Sequence, residues 1–168
     1  MEHDFKFTFG VITVSDKGSR GERVDESGPV AIELLESIGG VNKKYIIVPD
    51  EKEEIKKAIV EMTDNLKVDF VVTSGGTGFS PRDVTPEATL EVIERNVPGI
   101  PEAMRAESLK VTPKAMLSRA AAGIRNKSLI VNLPGSPKGV RECLGIIMPV
   151  FKHGIEILRG EASECAAK

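Results

Sequence analysis

A chain of 168 residues, 40% hydrophobic and with a formal net charge of −2, fits one domain around one core. Aromatic residues are only 4% and Trp is absent, so that core has to be aliphatic. The near-neutral balance and the lack of a long basic run argue against a surface built for nucleic acid. No apolar run reaches the ~18 residues of a membrane span, and Met1-Glu-His-Asp-Phe-Lys6 lacks the charged-then-apolar order of a signal peptide. Cys143 sits in an apolar helical pattern and Cys165 in a polar tail, and two cysteines without clustered His do not make a Cys-only zinc site. The expectation is a cytoplasmic protein with no membrane and no nucleic-acid partner.

In chain order, Phe7 to Val14 reads as a strand ending in the polar loop Ser15–Gly21. Ser27-Gly28-Pro29 opens a helix to about Ile38, with Val30, Leu34 and Ile38 on one face, and Gly39-Gly40 stops it. Tyr45 to Val48 is a second strand, followed by Pro49-Asp50-Glu51. The next helix runs from about Lys52 to Leu66, carrying Ile55, Ile59 and Met62 at helical spacing. Phe70 to Thr73 is a third strand.

Thr85-Pro86-Glu87 reads as an N-cap, a first-turn proline and an acidic first turn, opening a helix to about Asn96. Pro98-Gly99-Ile100-Pro101 breaks it, and a further helix spans Glu102 to about Lys110. Ala115 to Ile124 is ambiguous between helix and strand. Arg125-Asn126-Lys127 is a turn, and Ser128 to Leu133 a clear strand ending at Pro134-Gly-Ser-Pro-Lys138. A terminal helical stripe carries Val140, Leu144, Ile147, Phe151, Ile155 and Leu158, with Pro149 placed to kink or divide it. Residues 1–6 and 161–168 read as flexible tails. Strands alternating with helices predict a three-layer α/β/α fold around a mostly parallel sheet.

The most informative stretch is Ser74-Gly-Gly-Thr-Gly-Phe-Ser-Pro-Arg-Asp-Val-Thr85. Three glycines in four positions allow a sharp turn with uncovered N–H groups, a concavity suited to anions. Arg82 adds a fixed positive charge and Asp83 a hard oxygen ligand suited to magnesium. The loop is not a Walker A, since no Lys follows the last glycine, and Pro81 stands where a dinucleotide fingerprint needs its third glycine. Ligands of parallel α/β sheets bind beyond the carboxyl ends of the strands. The loops Ser15–Gly21, Pro49–Glu51, Ser74–Val84 and Pro134–Lys138 are therefore expected to converge. The resulting mixture of amides, carboxylates and cations suits a phosphorylated or nucleotide substrate.

Ser74 to Thr89 resembles the molybdopterin adenylyltransferases, including the G-type domains of plant and animal molybdenum cofactor synthesis proteins. The likeness continues through Pro98-Gly-Ile, Leu117-Ser-Arg-Ala-Ala-Ala-Gly-Ile-Arg125, Leu129-Ile-Val-Asn-Leu-Pro-Gly-Ser-Pro-Lys138, Glu142-Cys143 and Lys152-His153. It implies one domain over residues 7–160, in which the terminal phosphate of molybdopterin attacks the α-phosphorus of ATP and pyrophosphate leaves. It further implies Mg2+, a homotrimer, and handover of the product to a molybdenum insertion protein.

By the same resemblance Asp50 and Asp83 are the catalytic, magnesium-handling carboxylates. Ser74, Gly75, Gly76, Thr77, Gly78 and Arg82 hold the nucleotide. Ser15, Asp16, Pro134, Gly135, Ser136 and Lys138 hold the pterin or its phosphate. The resemblance also makes Ala120–Ile124 a strand hairpinned with Ser128–Leu133, giving the sheet one antiparallel member. Plainer readings stand beside these. Asp50, with Glu53 three residues on, has the spacing of a helix cap. Lys138 is an ordinary surface lysine, Glu102 and Arg105 form an exposed helical face with a role in the pocket as the lesser alternative, and His153 is structural. A pterin-binding or scaffold module without catalysis is the alternative function.

Overall fold

In the computed structural model, which describes residues 5–161, strands β1 (Phe7–Val14), β2 (Gly40–Val48), β3 (Phe70–Ser74), β4 (Arg95–Asn96), β5 (Ala122–Arg125) and β6 (Ser128–Leu133) form one sheet. Its order is β2-β1-β3-β6-β5-β4. Four strands are parallel, and β5 runs antiparallel to both neighbours. The chain leaves β1 toward β2 on one side and returns to β3 on the other. The loops after β1 and β3 therefore part, and that divergence is where an open α/β sheet forms its crevice.

Side chains alternate across the sheet and divide the core in two. Phe7, Phe9, Val11, Phe70, Val72, Leu129, Val131 and Leu133 face helices α2 (Ser27–Ser37), α5 (Gly99–Leu109) and α6 (Pro137–Arg159). Ile12, Val14, Val71 and Ile130 face α3 (Lys52–Val60) and α4 (Thr85–Val92). Four of the few aromatic rings, Phe5, Phe7, Phe70 and Phe151, gather at the amino end of the sheet, with Phe7 and Phe151 centroids 4.7 Å apart. Phe5 stacks on Phe7, and the Lys6 carbonyl accepts from Arg159 at 2.8 Å. The remainder of the expected tails, residues 1–4 and 162–168 with Cys165, lies outside the described residues.

Several expectations are adjusted. The Ser15–Gly21 loop contains a single helical turn, α1 (Asp16–Ser19), because Ser15 Oγ accepts from the Gly18 amide at 2.9 Å. The buried stripe of α2 is Ala31 and Leu35, with Val30 and Leu34 at the margin of the core and Ile38 exposed. Strand β2 begins at Gly40, well before Tyr45, as an edge strand with alternating exposure and lysines. The helix after β2 spans the expected length, but its last turn, Glu61–Asn65, widens to π geometry.

Helix α4 stops at Val92, not Asn96. The chain then extends, with Glu94 N donating to Ile124 O and Val97 N to Ala122 O, and β4 pairs with β5. Helix α5 begins at Gly99, so Pro98-Gly99-Ile100-Pro101 starts a helix instead of only breaking one. Pro101 falls in the first turn, where amides have no intrahelical partner. Pro149 neither kinks α6 into two elements nor ends it. Pro149 and Gly145, whose carbonyl loses its partner, both face solvent, so water can satisfy that oxygen. Residues 115–124 divide between a 3₁₀ turn (Pro113–Leu117) and β5.

A buried amide joins β6, β3 and the residue before β5 to α4. Asn132 is fully buried, donates to Thr73 Oγ1 (3.0 Å) and Thr89 Oγ1 (2.9 Å), and accepts from the Ala121 amide (3.1 Å). Asn132→Ala strands these groups without water. It is expected to cost about 2–4 kcal/mol of unfolding free energy, read by denaturant titration.

Candidate functional site

The carboxyl ends of β1, β2, β3 and β6 lie along one edge, and the loops that leave them meet there. Gly75 and Gly76 have φ of +102° and +68°, conformations that side chains resist. The Gly75 amide reaches back to Leu133 O at 3.1 Å, binding the turn to β6. Thr85, expected to cap α4, leaves that place to Val84. Its hydroxyl donates to Gly75 O at 2.9 Å and its amide to Gly76 O at 3.1 Å, so it anchors the glycine turn. Among the described residues the amides of Gly76, Thr77, Gly78 and Phe79 find no acceptor. This is the donor array that three glycines in four positions predict.

Asp50 and Asp83 lie on the same rim. A Cβ built on Gly76 stands 3.4 Å from Asp50 Oδ1, and one built on Gly78 stands 2.9 Å from Asp83 Oδ2. Asp50 does not cap α3, whose N-cap is Glu51 without a side-chain bond. Its Oδ2 instead accepts from the Asp16 amide at 2.9 Å, while Asp16 Oδ1 accepts from the Asp50 amide at 3.0 Å. This reciprocal pair joins the first and second loops.

Arg82 then ties the third loop to both. Its Nε and Nη2 donate to the two Asp16 carboxylate oxygens at 3.0 and 2.9 Å, and Nη2 also reaches Glu51 at 2.9 Å. Through Nε and Nη2 Arg82 thus pairs with carboxylates of two other loops, and it is not paired with its neighbour Asp83. Asp83 Oδ2 accepts from the Ser80 amide at 3.0 Å.

The electrostatics follow from this placement. Arg82 beside Asp16, aided by the Asp50 amide, holds the Asp16 carboxyl below its usual range. Burial pushes the Asp50 carboxyl above its ordinary value, and the charges of Asp16 and Asp83 push the same way. Carboxylates crowded in this way favour a hard cation between them. No group of three or more His, Cys, Asp or Glu able to hold a metal occurs among the described residues. Two carboxylates without a cage are the donor set that magnesium uses when waters and substrate phosphates complete its shell.

Two cavities flank the Pro134–Lys138 loop. One of about 500 Å³ is lined by Thr77, Gly78, Arg105, Pro134, Ser136 and Lys138, with Met104, Val111 and Leu117 among its apolar walls. The other, about 300 Å³, is lined by Ser15, Asp25, Ser27, Ser74 and Gly135. Ser74 Oγ donates to Pro134 O at 2.8 Å, on the wall between them. Ser136 caps α6, its Oγ accepting from the Gly139 amide at 3.1 Å. Lys138 is largely exposed, 3.8 Å from Glu142. Asp16, expected to hold the pterin or its phosphate, is bonded to Arg82 and to the Asp50 loop. Arg105 is not simply part of an exposed face, since it lines the larger cavity and donates to Ser118 O and Ala120 O. His153 is exposed on α6, away from these loops.

Sequence reasoning missed two residues. Asp25 accepts from Thr13 Oγ1 (2.7 Å), from Ser27 and Gly28, and from the Tyr45 hydroxyl, and so fixes the start of α2. Burial raises its carboxyl, but these donors outweigh burial and leave it below the ordinary range. Its signal was an Asp two residues before a Ser-Gly-Pro helix start. The other is Arg119, whose place in the Leu117–Arg125 motif carried no assigned role.

Residues 10–153 match the family model described as "Probable molybdopterin binding domain". The chain belongs to the molybdopterin adenylyltransferase family. It is 46% identical to the molybdopterin adenylyltransferase of Helicobacter pylori (strain J99 / ATCC 700824) over 90% of this chain and 87% of that protein. It is also 46% identical to gephyrin of Dictyostelium discoideum over 90% of this chain, which spans only 22% of that longer protein. The fold matches the molybdopterin biosynthesis enzyme MoaB of Thermus thermophilus with a TM-score of 0.86 and 46% identity, covering 94% of this chain and 99% of that one. No helix among the described residues is long and apolar enough to cross a membrane.

Proposed function

We propose that this member of the family transfers the adenylyl group of ATP to molybdopterin. A terminal phosphate oxygen of molybdopterin forms a bond to the α-phosphorus. The bond from that phosphorus to the α,β-bridging oxygen breaks, and pyrophosphate leaves with the electron pair. The nucleophile belongs to the substrate, so the protein needs no activated Ser or Cys. Its task is positioning and charge stabilisation.

The observation that carries this reading is the shared rim: Asp50 and Asp83, from different loops, beside four glycine-turn amides without a protein acceptor. The amides of Gly76, Thr77, Gly78 and Phe79 donate to phosphate oxygens, with Ser74 and Gly75 holding the turn in place. Asp50 and Asp83 hold magnesium, which would supply charge neutralisation for the phosphates. Arg82 acts by fixing Asp16 and Glu51, and thereby Asp50, and Asp16 acts on Asp50 in the same way. The larger cavity, lined by Pro134, Ser136 and Lys138, receives the pterin and its phosphate, and Ser15 and Gly135 border the smaller one. A homotrimer in the cytoplasm, passing its adenylylated product to a molybdenum insertion protein, completes the reading.

Supplying molybdopterin with ATP and magnesium is expected to release pyrophosphate in step with adenylylated product, measured by a coupled phosphate assay. Binding of molybdopterin with no pyrophosphate above the ATP-only control would make the chain a binding module instead.

A further inference from the structure

We infer that Arg119 is a positioning residue for the phosphate-holding turn, setting the direction in which the amides of Gly78 and Phe79 point. The inference rests on the adenylyltransferase reading of that turn. Arg119 enters from the segment between the 3₁₀ turn and β5. Its own amide donates to Thr77 O at 2.9 Å, and its Nε donates to Gly78 O at 2.7 Å. Its Nη2 donates to Asp83 O at 2.7 Å, and Nη1 pairs with Glu87 in the first turn of α4.

A trans peptide is planar, and its C=O points opposite to the N–H of the following residue. No cis peptide occurs among the described residues. With the carbonyls of Thr77 and Gly78 turned onto Arg119, the amides of Gly78 and Phe79 must face away from it. Those are two of the four amides left without a protein acceptor. The Asp83 carbonyl on the same guanidinium fixes the other end of the turn, and with it the base of the Asp83 carboxylate. Arg119 is itself held, because Arg105 grips the carbonyls of Ser118 and Ala120 on either side. A planar fork can satisfy separate oxygens at fixed angles, which a lysine ammonium cannot reproduce. With its donors on protein oxygens, Arg119 acts through the turn and not on the substrate.

The test compares wild type with Arg119→Gln and Arg119→Lys. The readouts are calorimetric Kd for magnesium with α,β-methylene-ATP, kcat and KM for each substrate, and melting temperature. Arg119→Gln is expected to weaken the analogue about tenfold, the worth of one charge-assisted hydrogen bond. KM for molybdopterin should stay within about twofold, since cavity-lining groups outside the turn hold the pterin. Arg119→Lys should fall between, and it decides alone if Arg119→Gln does not fold.

A lower melting temperature with unchanged analogue affinity and kcat would overturn the inference and make Arg119 a structural tie only. Wild type that binds the analogue but releases no pyrophosphate would refute the adenylyltransferase reading, while the variants' affinities still judge Arg119. Wild type that does not bind the analogue would overturn both.

Discussion

Asp50→Asn is expected to slow pyrophosphate release about 100-fold or more while leaving the melting temperature unchanged or raised. The two effects have one cause. Asp50 is partly buried, and burial together with the neighbouring charges of Asp16 and Asp83 lifts its carboxyl above the ordinary 3.8. A folded-state value that is raised means the charged form is less welcome in the folded chain than in the unfolded one. The stabilising contribution of Asp50 is therefore complete below about 3.8 and is lost as pH rises through the folded value. At neutral pH the charge costs stability unless a cation offsets it.

Asparagine removes that cost and still offers an oxygen to the Asp16 amide, now 2.9 Å from Asp50 Oδ2. What it cannot offer is an anionic oxygen for a hard cation. The variant's melting temperature in metal-free buffer should therefore gain on wild type as pH rises from 3.8 toward neutral. A large melting loss with an unchanged rate would show that Asp50 serves only to join its loop to Asp16.

The sheet was legible where burial is complete. Phe70-Val71-Val72-Thr73 and Ser128–Leu133 are buried on both faces, so short, mostly apolar runs marked them within a residue or so. Strand β2 was read short because an edge strand needs no apolar residue at its exposed positions. β4 was invisible for another reason. Two exposed residues, Arg95 and Asn96, become a strand only because β5 offers them partners about 28 positions along the chain. The hairpin of β5 with β6 came from family likeness; alanine-rich composition alone leaned the other way.

The site was legible in its backbone and less so in its side chains. Glycines at Gly75 and Gly76 announce a turn whose φ few other residues accept, and the positive φ values agree. Which side chain meets which across separate loops is not written in local spacing. Asp50 had the spacing of a capping box, yet its carboxylate crosses to the first loop. Arg82 beside Asp83 suggested a cation for phosphate, yet the guanidinium reaches Asp16 and Glu51. Arg119 lies 41 residues from its partner Gly78, a distance at which only the tertiary fold decides contact.

Gly75→Ala carries the second large effect, because this glycine joins three elements at once. Its amide binds Leu133 O in β6, its carbonyl accepts the Thr85 hydroxyl at the start of α4, and its φ is +102°. A methyl group there would stand 2.5 Å from the Val14 carbonyl at the end of β1. Backbone is not the flexible tip of a side chain, so either β1 and β3 part or the turn gives up its conformation. Strain at positive φ and overpacking together are expected to cost roughly 2–5 kcal/mol of unfolding free energy. Whichever way the strain is relieved, the amides of Gly76 to Phe79 lose their common direction, and affinity for magnesium with α,β-methylene-ATP should fall beyond detection. Gly21→Ala is the matched control. Its φ is +72°, but no atom lies within 4 Å of the added carbon, so only the conformational cost of about 1 kcal/mol remains and turnover should be unaffected. Equal losses in the two variants would mean that positive φ alone governs both sites. Nucleotide binding that survives in Gly75→Ala would remove the turn from the binding surface.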